Sequence, residues 1–369
     1  MKKRKNDCNT EKRCYSIYRR CRMRKSEEII RILRKELQEG RWKEESRFPS
    51  EEQLMQRFHV SRITMNKITE QLVQEKYIKR GKGGAGATVL NTNPFPIGQI
   101  ACFGDLLHPY YSRIIHSVFQ RATILGYGVN FFAPEADMIN YYLEKVRKSD
   151  YIGLLVCRGI GPIPEDYPMP VVYLDSAFPQ QNAFRCSVAC SNYQASFRMA
   201  ETAVRRGHRE ILVFSSVIPI EENRMKRING FRDSLIKSGI SDVEERICIA
   251  YPRDFSAVAR MFRRKYAQFP ETTIVLTDSD DIALHLLRHL WERNLLGKIT
   301  VTGFGNIISS NSIVPIATVE QYPEEIGASG VDELLYNAAH PESPHVGEIL
   351  IEADLLHTEL IPDLSSLKE

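Results

Sequence analysis

Long apolar runs are missing from this chain, and so is any dense set of cysteines. No stretch approaches the roughly 20 apolar residues that a membrane span needs. The charged N-terminus has no apolar core of the kind a secretory signal carries, which argues against export. The eight cysteines are scattered, without a C-x-x-C pair or a tight Cys/His cluster. Cys8, Cys14 and Cys21 stand too far apart for a zinc knuckle, so the expectation is a reduced, cytoplasmic protein without metal or cofactor. A phosphate loop of the form G-x-x-x-x-G-K-[ST] is absent, as is a histidine or nucleophile with an evident partner.

What is present divides in two. The 369 residues, 43% of them hydrophobic, can bury a sizeable core, and at roughly 150 residues per domain they suggest two or three domains. Residues 1 to 90 hold 24 Lys+Arg against 12 Asp+Glu, whereas the remainder holds 26 against 34. A total of +4 therefore hides a basic head on an acidic body. Phosphate neutralisation supplies most nonspecific affinity for DNA, so the head is where a nucleic-acid surface is expected. Residues 1 to 22 are polar, cationic and patternless and read as a disordered tail, with Met23 an alternative start.

The most informative stretch runs R-F-P-S-E-E-Q-L-M-Q-R-F-H-V-S-R-I-T-M from Arg47 to Met65. Ser50 caps a helix whose first turn carries Glu51 and Glu52, where the helix dipole favours negative charge. Leu54 and Phe58 share one face of it. Ser61 opens a second helix with Met65, Ile68 and Leu72 as its buried stripe. Arg62, Thr64, Asn66 and Lys67 lie on the outer N-terminal side, the end with which helix-turn-helix proteins read base edges. Next come a short alternating strand, Tyr77–Arg80, a basic glycine loop, Gly81–Gly86, and a returning strand, Ala87–Leu90. Such a two-stranded wing would lay Arg80 and Lys82 along phosphates or a minor groove, with glycines such as Gly84 letting the backbone come close.

Residues from about Lys25 to Leu90 resemble the winged-helix domain of the GntR family of bacterial regulators. The matching positions are Pro49-Ser50-Glu51 with Leu54, Val60-Ser61-Arg62 with Thr64, and Thr88-Val89. The resemblance implies that Arg62 and Thr64 touch DNA. Two positions depart from the pattern. Glu52 stands where an arginine usually follows P-S-E, and Asn66 stands where an arginine usually follows the hydrophobic residue at 65. A winged helix-turn-helix over 23–90 is thus expected, then a Pro-containing tether over 91–96.

From Ile97 to the end the rhythm changes. Short apolar runs at 100–103, 129–132, 152–156, 171–174, 211–214, 246–250, 273–277 and 299–302 alternate with helical patterns near 110–126, 137–148, 192–206 and 221–238. Apolar strands separated by amphipathic helices predict parallel sheets covered on both faces, here an α/β core of two doubly wound lobes over 97–369. Ligands in such folds sit at the carboxyl ends of strands. The polar residues there include His108, Tyr110, Tyr111 and Arg113, then Asn223 to Phe231, then Asp278-Ser279-Asp280-Asp281. Aromatic faces, guanidinium forks and carboxylates suit a polyhydroxylated ligand. Plainer roles stand beside that one: Asp278 or Ser279 as helix caps, Tyr110 and Tyr111 as core, and Arg224 and Arg227 paired with Glu221 or Glu222.

This region resembles the effector-binding core of LacI/GalR-type repressors, which is similar to periplasmic binding proteins. The resemblance rests on His108-Pro109-Tyr110-Tyr111, Arg227-Ile228-Asn229-Gly230-Phe231, Arg205-Arg206-Gly207-His208, Ser279-Asp280, Val301-Thr302-Gly303-Phe304 and Thr318-Val319-Glu320-Gln321 with Gly327. It implies that Arg227 and Asp280 are the principal ligand contacts, Tyr110 and Tyr111 a stacking wall, and Gln321 a hinge-side contact. Gly305-Asn306 replaces an expected acidic pair, and Ser191-Asn192 replaces D-N. The expected function is a DNA-binding transcriptional regulator, a repressor on family grounds, acting as a homodimer on an operator under control of a sugar-like effector. Two other classes compete. One is a metal-dependent enzyme built on Asp278, Asp280 and Asp281; the other is a sugar-transport receptor, which the winged helix and the missing signal peptide oppose.

Overall fold

A computed structural model describes residues 25–81, 86–157, 163–175, 185–215, 222–250, 254–307 and 315–365. The expected tail at 1–22 and the wing residues Lys82 and Gly84 lie outside the described residues. Two compact units divide the chain, Met1–Ile97 and Gly98–Glu369.

In the first unit, α1 (Lys25–Gln38), α2 (Glu51–Phe58) and α3 (Arg62–Gln74) precede an antiparallel hairpin of β1 (Ile78–Arg80) and β2 (Ala87–Val89). Helix α1, for which no motif signalled in advance, carries Ile29, Ile30, Leu33 and Leu37 at helical spacing and buries all four. Leu54 of α2, the predicted stripe Met65, Ile68 and Leu72 of α3, and Phe48, Tyr77, Ile78 and Val89 are buried in the same unit, where α3 packs against both α1 and α2. Each such side chain contributes roughly 1.5–3 kcal/mol on burial, which is why so short a segment holds together. The start of α2 is a full capping box: the Gln53 amide donates to the Ser50 hydroxyl at 3.2 Å, and the Gln53 side chain accepts from the Ser50 amide at 2.9 Å. His59 ends α2 in the left-handed region, φ 52°, turning the chain into Ser61, which caps α3. Ion pairs then tie helix to helix. Arg34 donates to Glu75 at 2.8 Å and Arg57 to Glu36 at 2.7 Å, and the Arg57 hydrogen bond holds the Glu36 carboxyl below its usual range.

The second unit opens with β3 (Gln99–Phe103), α4 (Pro109–Ile124), β4 (Gly128–Phe132), α5 (Ile139–Arg147), β5 (Tyr151–Cys157), β6 (Val171–Leu174) and β7 (Cys186–Cys190). It continues with α6 (Asn192–Arg205), β8 (Ile211–Ser215), α7 (Glu222–Lys237), α8 (Val243–Arg246), β9 (Ile247–Ile249), α9 (Phe255–Gln268), β10 (Ile274–Thr277), α10 (Asp280–Glu292) and β11 (Thr300–Val301). β12 (Thr318–Glu320), α11 (Pro323–Ala339), β13 (Gly347–Ile351) and β14 (Asp354–Leu356) complete it. One lobe is a parallel sheet in the order β13-β7-β6-β5-β3-β4; the other is a parallel sheet in the order β11-β10-β8-β9. Helices pack both faces of the central strands, so β3, β5, β6, β8 and β10 are apolar and buried along most of their length, as their uninterrupted runs predicted, whereas the edge strands β4, β9 and β13 are partly exposed.

Three crossings join the lobes side by side. β7 leaves the six-stranded sheet at Cys190–Asn192 for α6; β12 returns the chain through Gln321 and Tyr322 to α11; and β13 passes through 352–353 to β14. β14 pairs antiparallel with β12 across Thr318–Glu320. The Ser191 amide donates to the Ile351 carbonyl at 2.8 Å, and the Ala353 amide to the Ser191 hydroxyl at 3.0 Å, which laces the first crossing to the third. The C-terminal segment straps the second lobe: the Leu364 amide donates to the Arg206 carbonyl at 2.7 Å, and Gly207, at φ +86°, sits directly beneath Leu364 and Ser365.

Candidate functional sites

On the first unit, Arg62, Thr64, Asn66 and Lys67 all fall on the first two turns of α3, with Arg62 and Lys67 exposed. The Thr64 hydroxyl lies 3.0 Å from that of Ser61, which closes the N-cap. Arg80, from the edge of the wing, donates to the Asn66 carbonyl oxygen at 2.6 Å and stands 3.4 Å from Glu51 and 3.9 Å from Glu70. A guanidinium from β1 thus occupies the neighbourhood of α3 where Asn66 has replaced the arginine of the GntR pattern. Ser50 is spent on its capping box, so its part at this surface is the placement of α2.

On the second unit the candidate ligand residues converge between the lobes. His108 caps α4 by accepting from the Tyr110 amide on Nδ1 at 3.3 Å, which places the ring proton on Nε2, 3.4 Å from Asp281 of the opposite lobe. Tyr110 is 3% exposed, its ring edge-on to Tyr111 at 5.3 Å, and its hydroxyl has no hydrogen-bond partner among the described residues. Burial, with Asp175 and Cys190 nearby, pushes that phenol well above its ordinary range, against the pull of Arg227. Arg227 reaches in from α7, its guanidinium 4.0 Å from the centre of the Phe304 ring. It donates through Nε to Asn192 at 2.6 Å and through Nη1 to the Asp278 carbonyl at 2.9 Å. Across the gap the Asn223 amide donates to Asp175 at 3.2 Å, while the Asn223 carbonyl oxygen and that of Asn306 are both buried without a partner among the described residues. Gln321 donates to the Cys190 sulfur at 3.3 Å beside the crossings.

The three aspartates go separate ways. Asp278 is buried against Arg224 at 3.0 Å and accepts from the Ser215 hydroxyl. Asp280, also fully buried, accepts from the Thr318 hydroxyl at 2.8 Å and the Ile307 amide at 2.6 Å, so its carboxylate anchors the segment where the two lobes join. Gly303 lets it do so, since a Cβ there would collide with the Asp280 carboxylate. Ser279 caps α10, accepting from the Ile282 amide at 3.5 Å. Arg224 and Arg227 take Asp278 and Asn192 as partners, whereas Glu222 is met by Lys226 at 3.6 Å. Lys226 also bridges the lobes to Glu348 at 2.6 Å. Among the described residues no group of three or more His, Cys, Asp or Glu is placed to hold a metal ion.

Sequence reasoning passed over Asp175, Cys190 and Glu320. The first two end strands of a parallel sheet, a position that itself marks a ligand wall. Glu320 accepts from the Asn306 side chain and from the Tyr322 amide at 3.0 Å, bringing a carboxylate to the place where Gly305-Asn306 lacks one.

Comparison with known proteins agrees with both halves of this description. Residues 25–89 match the bacterial regulatory proteins of the gntR family, and residues 200–355 match the periplasmic binding protein-like domain. This is a transcriptional regulator, a GntR-type head joined to a periplasmic-binding-protein-like body. The regulator is 25% identical over 239 residues to catabolite control protein A of Priestia megaterium, covering 61% of this chain and 70% of that one. It is 34% identical over 80 residues to the HTH-type transcriptional regulator TreR of Bacillus subtilis, covering 21% of this chain and 33% of the relative. The fold resembles that of the transcriptional regulator CelR solved with cellobiose, at a TM-score of 0.63 and 16% identity, over 80% of this chain and 90% of that one. These matches are to regulators and give the enzyme alternative no support. Among the regulator's described residues no helix is long and apolar enough to cross a membrane.

Proposed function

We propose that the regulator is a cytoplasmic repressor that grips its operator with two winged helices and changes its grip when a sugar occupies the cleft. The observation that carries the reading is the set of groups near the junction of the lobes: Tyr110, Asn223 and Asn306, each with a buried polar atom that has no partner among the described residues, with Arg227 and the His108–Asp281 pair. Donors and acceptors of both kinds around an aromatic wall suit hydroxyl groups, and the cellobiose carried by the related CelR structure supports a sugar. Tyr110, Tyr111 and Arg227 contact the effector; Asp280 and Gln321 act from behind, holding the joint that moves. Arg62, Thr64, Asn66, Lys67, Arg80, Lys82 and Gly84 contact DNA.

Lobe rotation is transmitted through a homodimer. Leu284 and Trp291 of α10, seven residues apart on one helical face, stand 45% and 68% exposed and supply an apolar stripe for a second copy. Half-sites lie about 34 Å apart, so a few ångströms of misfit between two heads release the operator. Effector and operator then alter each other's affinity by the same factor. A gel-shift titration with and without candidate sugars tests the coupling. An operator affinity that stays fixed while a sugar is demonstrably bound sinks the proposal.

A further inference from the structure

We propose that Ile63 covers the 5-methyl group of a thymine in the operator and is therefore a specificity residue of the head. The proposal rests on DNA binding by the winged helix, and it adds an apolar contact to the polar ones assigned above. Ile63 is the second residue of α3, between Arg62 and Thr64, and is 75% exposed. Among the described residues of the first unit it is the most exposed large hydrophobic side chain, and the others in the open, Leu90 at 41% and Phe95 at 61%, lie past the end of β2 rather than on a helix. Among the described residues none packs over it to account for an apolar side chain there. A β-branched residue is a poorer helix former than alanine, and apolar surface in water contributes no stability.

Its neighbours sharpen the assignment. The Thr64 hydroxyl is engaged with Ser61 and the Asn66 side-chain carbonyl with Arg80, so these two polar groups are held by neighbours while the isoleucine stands out from the helix. The first turn of a recognition helix is the part that reaches base edges. In the major groove the apolar feature of a base pair is the thymine methyl, and an aliphatic side chain is its complement.

The test uses the full-length protein. Selection from a random duplex library gives a preferred site, and each thymine in it is then replaced singly by deoxyuridine, which lacks only the 5-methyl. At one thymine per half-site the wild type loses about fourfold in affinity, the value of one buried methyl. Ile63→Ala binds the thymine and uracil forms alike, at the level of wild type on uracil, and Ile63→Val falls between. Circular dichroism of both variants matches wild type, since the side chain packs against little. Indifference of wild type to every uracil substitution overturns the proposal, as does an equal uracil penalty in Ile63→Ala. Failure to enrich any sequence is a different result, which overturns DNA recognition by the head itself.

Discussion

The Tyr110 hydroxyl offers a perturbation whose two effects have opposite signs. Tyr110→Phe keeps the ring, and with it the edge-on contact to Tyr111 at 5.3 Å, while deleting one buried oxygen that has no hydrogen-bond partner among the described residues. Leaving such a group unmade costs about 1–3 kcal/mol, so its removal stabilises the ligand-free protein, by about 1 kcal/mol at the low end. For a unit of this size that is a rise of about 2–4 °C in melting temperature. Effector binding moves the other way. A hydrogen bond lost to the sugar is worth about 0.5–1.5 kcal/mol, a weakening of roughly two- to twelvefold. Thermal scanning of wild type and variant across a sugar titration reads both quantities from one data set. A variant that melts below wild type, or that binds the sugar as tightly, would show that the hydroxyl is satisfied within the fold and does not face the effector.

Gly230 packs α7 against α6, where a Cβ would run into the Tyr193 carbonyl and come within 2.9 Å of Ser196 Cβ and 3.0 Å of the Phe197 amide. Gly230→Ala should therefore lose about 1–2 kcal/mol net in urea unfolding, overpacking outweighing the better helix propensity of alanine. Arg62→Ala should abolish specific operator binding in a gel shift and leave sugar binding unchanged. His208 is buried, donating through Nε2 to the Pro362 carbonyl at 3.1 Å and accepting from Thr273 at 2.8 Å, and burial holds its pKa below the usual value. His289 is shifted the same way, by burial and by Arg263 and Arg293. Since the unfolded chain takes up these protons first, stability is fully present above about pH 6.5 and drains away as pH falls below it. His208→Gln should flatten the change in urea midpoint between pH 7.5 and 5.5, and an unaltered slope would count against the buried neutral imidazole.

Much of this was legible because it is local. The cap at Ser50, the stripe Met65, Ile68 and Leu72 and the apolar runs at 100–103 and 211–214 are set by neighbours within one or two turns or one strand, and periodicity reports neighbours. What escaped is set by partners far along the chain. β7 reads C-S-V-A-C, small and mixed, and becomes a buried strand because β13, more than 150 residues later, pairs with it in register from Cys186–Gly347 to Cys190–Ile351. Asp280 looks like a ligand contact from its strand-end position, yet its carboxylate is met by Thr318 and Ile307 in a join that no local pattern announces. Arg224 and Arg227 share a helical face with Glu222 nearby, but Asp278 and Asn192 win because they bring partners already buried.

The interlaced crossings at Cys190–Asn192, Gln321–Tyr322 and Glu352–Ala353 decide how such a protein can be rebuilt. Neither lobe is a contiguous stretch of chain, so a laboratory chimera that exchanges one lobe needs three splices, each cutting through the joint. The recognition head, by contrast, ends at a single boundary after Ile97, and one cut there trades it for another. Shuffling by single recombination events therefore has an easy route to new operators for an old sensor, and none to half of a new sensor.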